Sequence, residues 1–192
     1  MKKKEPKDLL IIPDCHAAPE YDNKRFSALG NFIIEQQPEI IVCLGDFGDM
    51  PSLSSYDRGT KGFEGRRYKK DILSVIDAQE KLFAPIKKFN DVKRERKEKQ
   101  YKPKLHMCLG NHEDRIERAV NSAPELEGAI GLSDLQYEKF GWKVTPFKSC
   151  LSIENIIFSH YFTSGVAGRP ISSTHVGFHL VSKLHCSAVQ GH

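Results

Sequence analysis

Seven side chains carrying oxygen or imidazole donors stand directly behind apolar runs: Asp14 and His16 after LLIIP, Asp46 after IIVCLG, Asn111 and His112 after LHMCLG, His160 after IIFS, and His192 after AVQG. Asp14-x-His16 sets two donors on one side of an extended chain, because strand side chains alternate with period two, and that spacing suits chelation of one ion. The carboxylate of Asp46 can bridge two ions through its two oxygens, while Asn111 offers a neutral oxygen and the histidines neutral nitrogens. Mixed nitrogen and oxygen donors without thiolate fit Mn²⁺, Fe or Zn²⁺ and disfavour Ca²⁺ or an iron–sulfur cluster. Gly110 permits a sharp turn off the run before Asn111, and a helix starting there would aim free N–H groups at an anion.

The elements that must position these residues follow from periodicity. Residues 8–14, 39–46 and 104–111 read as buried strands ending in polar residues. Between them, residues 23–37 and 69–90 carry the i, i+3, i+4 apolar spacing of helices. The βαβαβ order predicts a parallel sheet, whose ligands collect beyond the carboxyl ends of the strands. Residues 142–146, 150–153 and 155–159 read as short neighbouring strands of a second, antiparallel sheet; a loop (163–170), a helix (173–186) and a last strand (187–190) follow.

Composition bounds the rest. A chain of 192 residues with 39% hydrophobic and 28% charged residues can bury one core, so one domain over residues 1–192 is expected. The apolar run Leu9 to Ile12 is too short for a signal peptide, and no stretch approaches the roughly 18 apolar residues of a membrane span. A cytoplasmic protein without membrane association is expected, and its five widely spaced cysteines read as buried thiols. The net charge of +4 is uneven, with basic clusters at residues 2–7, 58–70 and 93–104 that suit a polyanionic ligand.

D-x-H (Asp14, His16), G-D-x-x-D (Gly45 to Asp49), G-N-H-E (Gly110 to Glu113), a lone His after an apolar strand (His160) and a terminal G-H (Gly191, His192) occur in this order, and the chain thereby resembles the calcineurin-like metallophosphoesterases, of phage or bacterial type. The resemblance implies an α/β chain folded as a four-layer α/β/β/α sandwich of two facing mixed sheets. It implies two divalent transition-metal ions, manganese first with Fe, Zn, Ni or Co as alternatives. Asp14, His16 and Asp46 would hold one ion; Asp46, Asn111, His160 and His192 the other. His112 would face the leaving-group or phosphate oxygen, Glu113 would orient it, and Arg115 would contact phosphate.

The activity implied is two-metal hydrolysis of a phosphate ester. The basic clusters favour a phosphodiester in nucleic acid or a nucleotide; G-N-H-E is also shared with serine/threonine phosphoprotein phosphatases. A metal-poor binding module on the same fold is a further alternative, because the family's last motif is G-H-x-H and the sequence stops at His192. Either the sequence is truncated, or the first ion keeps three protein ligands and water. Asp49 either holds the Asp46 loop or is a solvated carboxylate. His175 and His179, at i, i+4 spacing, read as surface or packing residues.

Overall fold

The computed structural model describes residues 7–166 and 168–192, so the basic cluster at residues 2–7 lies, except for Lys7, outside the described residues. The first half follows the predicted alternation: β1 (Leu9–Ile12), α1 (Lys24–Gln36), β2 (Ile40–Cys43), α2 (Tyr68–Glu95), β3 (Lys104–Cys108) and α3 (Asp114–Ser122). After a series of 3₁₀ turns come β4 (Lys143–Thr145), β5 (Leu151–Ile153), β6 (Ile156–Ser159), β7 (Thr163–Ser164), β8 (Arg169–Pro170), α4 (Val176–Leu184) and β9 (Ser187–Gln190).

β1, β2, β3 and β4 lie side by side in chain order, and each pairing is parallel. Parallel neighbours need a crossover, which α1, α2 and α3 supply in turn. β4 therefore corrects one expectation. It joins this first sheet, parallel to β3, and not the second one, because α3 and the 3₁₀ turns carry the chain back to the edge where β3 begins. β5 and β6 form the expected antiparallel hairpin, but β9 pairs parallel to β6 because α4 intervenes. The second sheet is thus mixed and the first purely parallel, where two mixed sheets are implied by the family resemblance.

The alternation of β2 explains how the layers meet. Ile41 and Cys43 pack with Phe26 and Ile33 of α1 and Val75, Ala78 and Leu82 of α2. Ile40, Val42 and Leu44 point the other way, into a cluster with Leu151, Ile156, Phe158 and Val189 of the second sheet. A strand covered on both faces has no use for polar alternation, which is why IIVC is continuous and buried throughout. On the far side of the second sheet, Ile157 and Ala188 pack with Phe162, Ile171 and Leu180. Each fully buried aliphatic side chain contributes about 1.5 to 3 kcal/mol. No helix among the described residues is long and apolar enough to cross a membrane.

Candidate metal centre

Where β2 and β3 end, the two following loops interlock. Gly45 has φ 97°, and a Cβ there would meet the Gly110 nitrogen at 2.6 Å; a Cβ on Gly110 would meet Asp46 Oδ1 at 2.1 Å. Only glycine allows this approach, so the G-D and G-N-H-E motifs are two halves of one joint.

Glu113 locks the joint. Its Oε2 accepts from the backbone N–H of Asp46 at 3.0 Å and of Gly110 at 2.8 Å, while Oε1 accepts from Gly48 N–H and from the Tyr137 hydroxyl, both at 3.0 Å. Burial pushes the Glu113 carboxyl upward, helped by the nearby Asp46 charge, and the N–H donors of Gly48 and Gly110 and the Tyr137 hydroxyl pull it back. Both Glu113 oxygens are engaged by these donors and neither contacts the His112 ring, the residue it was expected to orient. The carboxylate beside the His112 Nδ1 is that of Asp49. The His112 ring Nδ1 lies 2.8 Å from the Asp49 carbonyl and also contacts its carboxylate.

Arg115 is likewise committed within the loop. Its Nη1 donates to the carbonyls of Asp49 at 2.7 Å and Met50 at 3.3 Å, and Nη2 lies 3.2 Å from His112 Nε2. A guanidinium only donates, so Nε2 accepts and the ring proton sits on Nδ1, facing Asp49. Arg115, expected to contact phosphate, braces the loop that carries Asp49. Burial works against ionisation of Asp49, yet hydrogen bonds from His112 and His16, with Arg115 beside them, hold its carboxyl well below the usual range.

The deepest part of the site surrounds His160, which is 1% exposed. Its Nδ1 donates to the Leu44 carbonyl at 2.9 Å, which fixes the tautomer and leaves a lone pair on Nε2. That nitrogen faces Asn111 Oδ1 at 2.8 Å, His192 Nδ1 at 3.1 Å and Asp46 Oδ2 at 3.3 Å. Lone pairs from one carboxylate, one amide and two imidazoles therefore converge with too few protons to separate them. Such a donor set fits a cation and is costly without one. Asp46, His160 and His192 place ligand atoms within 4.8 Å of one another, and so do His16, Asp46 and His112.

Asp46, Asn111, His160 and His192 are thus brought together as the resemblance implies. The other group differs: His16 and Asp46 meet His112, while the Asp14 carboxylate accepts the backbone N–H of His192 at 3.2 and 3.1 Å and lies 3.9 Å from His160 Nδ1. Asp14 thereby holds the last residue in place from the first strand's end. The rings of His16 and His112 meet edge to face at 4.7 Å. A hydrogen bond to Asp49, opposed by burial and aided by Asp46, Asp49 and Asp14, lifts His16 above its ordinary range. His16, Asp46 and His192 all adopt left-handed backbone, at φ 50°, 48° and 66°. Non-glycine residues there are uncommon and store strain at the site.

Among the described residues, His175 and His179 belong to neither group of ligand atoms; His175 precedes α4 and stays exposed. Asp49 and Tyr137 are the residues with clear roles that sequence reasoning left open or missed. G-D-x-x-D signals Asp49, whereas nothing local marks Tyr137, which reaches Glu113 from a 3₁₀ turn 24 positions away.

Comparison with characterised proteins gives no match. The sequence model of the calcineurin-like phosphoesterases matches residues 8–185, and the chain belongs to that family of metal-dependent phosphoric ester hydrolases.

Proposed function

We propose that the chain is a binuclear metal-dependent phosphoesterase acting on a phosphodiester of nucleic acid or a nucleotide, in the cytoplasm, with one domain over residues 1–192. The observation that carries this reading is the lone pair of His160 Nε2 facing Asp46, Asn111 and His192. The apolar clusters on both faces of the first sheet and beneath α4 support an α/β/β/α sandwich.

His16 and Asp46 would hold one ion, with Asp14 beside them, and Asp46, Asn111, His160 and His192 the other; the mixed nitrogen and oxygen donors suit a divalent transition metal, with manganese the first reading and Fe, Zn, Ni or Co the alternatives. Bound there, divalent ions supply Lewis-acid activation of the phosphoryl group and offset its charge. The chain's own residues do the rest. Asp49 keeps the Nδ1 proton of His112 engaged, so proton exchange with a leaving oxygen runs through Nε2, which lies 3.6 Å from Asp46 Oδ2. Arg115 donates to that same nitrogen and must release it when His112 takes up a proton to deliver. Positioned proton transfer of this kind contributes typically about 10² to 10⁴ in rate.

The test is metal analysis of protein purified without chelator, with turnover of 4-nitrophenyl phosphate and bis(4-nitrophenyl) phosphate after single metals are added back. Transition metal with diester turnover supports the reading. Protein that binds no metal after reconstitution with Mn²⁺ and turns over neither ester rejects it.

A further inference from the structure

The basic segment 93–104 lies at the other end of the first sheet from the metal centre. It joins the end of α2 to the start of β3, and β3 spans about 13 Å from Lys104 to Cys108 at roughly 3.3 Å per residue, with Asn111 and His112 farther still. Two neighbouring hollows of about 550 and 630 Å³ open there, sharing Pro103 and Lys104. Their walls carry six lysines against two glutamates.

The local charge is not cancelled internally. Lys7 pairs with Glu154 and Lys93 with Glu98, but Lys99, Lys102, Lys104 and Lys143 are exposed, and among the described residues no carboxylate lies within ion-pair distance of them. The strand register concentrates them. Lys143 lies opposite His106 on β4, and Lys104 is two residues before His106 on the same face of β3. His106 lines the second hollow, and its Nδ1 has no hydrogen-bond partner. Burial first, then the charges of Lys143 and Lys104, hold His106 below its ordinary range.

We propose that this groove binds the phosphate backbone of nucleic acid, holding it at a place remote from hydrolysis. Lysines are point charges on flexible stems and read phosphate without reading bases, so the binding would be indifferent to sequence and steeply salt-dependent. The inference extends the phosphodiester reading given above, and the groove's charge supports it independently of the metal centre.

The test is fluorescence anisotropy of a short labelled single-stranded oligonucleotide of mixed sequence over a salt series, with divalent metal withheld. The comparison is with a variant carrying Lys99→Gln, Lys102→Gln, Lys104→Gln and Lys143→Gln. The expected result is an affinity at least about ten-fold weaker in the variant and a log–log salt slope shallower by up to about 3, at about 0.7 per lost phosphate contact. Turnover of bis(4-nitrophenyl) phosphate with metal restored is expected to stay unchanged, since none of the four lysines reaches the metal centre. Equal affinity and slope in the two proteins overturns the proposal, as does capture of anionic lipid vesicles in preference to the oligonucleotide. Absence of ester turnover in the unsubstituted protein would count against the hydrolase and leave the groove's result standing.

Discussion

Oε2 of Glu113 lies 3.0 Å from the backbone nitrogen of Asp46, 67 positions earlier in the chain. The carboxylate accepts three N–H groups and one hydroxyl without exposure to water, so its replacement has to leave buried donors unmatched. Glu113→Gln supplies one acceptor oxygen and turns an NH₂ toward donors. Urea denaturation is expected to show a loss on the order of 3 kcal/mol. Metal content should fall with it, because Asp46 loses its anchor.

In the proposed mechanism Asp46 is a ligand and His112 the proton carrier, and substitution separates the two roles. Asp46→Asn removes a charge from both groups of ligand atoms, and metal analysis should show depletion of the whole centre with at least about a hundred-fold loss of turnover. His112→Gln is expected to keep the metal while turnover drops by about 10² to 10⁴. Depletion of metal in His112→Gln would instead make this ring a ligand beside His16.

Asp49→Asn tests the role of the residue that touches both His112 and His16. The amide keeps an oxygen facing the His112 Nδ1–H but loses the charge. Turnover should fall by roughly ten-fold with metal retained, and the pH–rate profile should change shape. A simple structural role would lower stability and leave that profile where it was.

Asp71 gives a pH signature in stability. It is buried, its Oδ2 accepts the Ser52 N–H at 2.9 Å, and burial raises its carboxyl above the ordinary range, with the Ser52 contacts opposing. As pH rises from about 4, the unfolded chain releases this proton before the folded one does. Stability is therefore fully present below the unfolded value and declines as pH climbs toward the folded one. Asp71→Asn keeps an acceptor for Ser52 and should flatten that decline in denaturation midpoints measured across mildly acid pH.

Periodicity made the first half of the fold legible, since α1, α2 and the three strands they connect each bury one continuous apolar face or run. β4 was not legible as a member of the first sheet: three residues carry no sign of which edge they will meet, and the 3₁₀ turns before them lack helical spacing. At the site, short motifs marked the candidate donors because each follows a strand end. They did not reveal partnerships, as Glu113 and Arg115 show. Both lie within three positions of His112 in sequence, yet one serves the backbone of the Asp46 loop and the other braces Asp49, because tertiary approach through Gly45 and Gly110 decides which groups meet.

Asp46 sits in both groups of ligand atoms, so the two cannot be filled as strangers. An ion drawing on one oxygen would change the charge left for its neighbour and would fix a strained left-handed residue for both. Were both groups to take an ion, as proposed, occupancy would be a reciprocal, linked equilibrium, in which whatever the first cation does to the second the second must do to the first. A calorimetric titration of metal-free protein would register that as two affinities that move together under any change made to this one side chain.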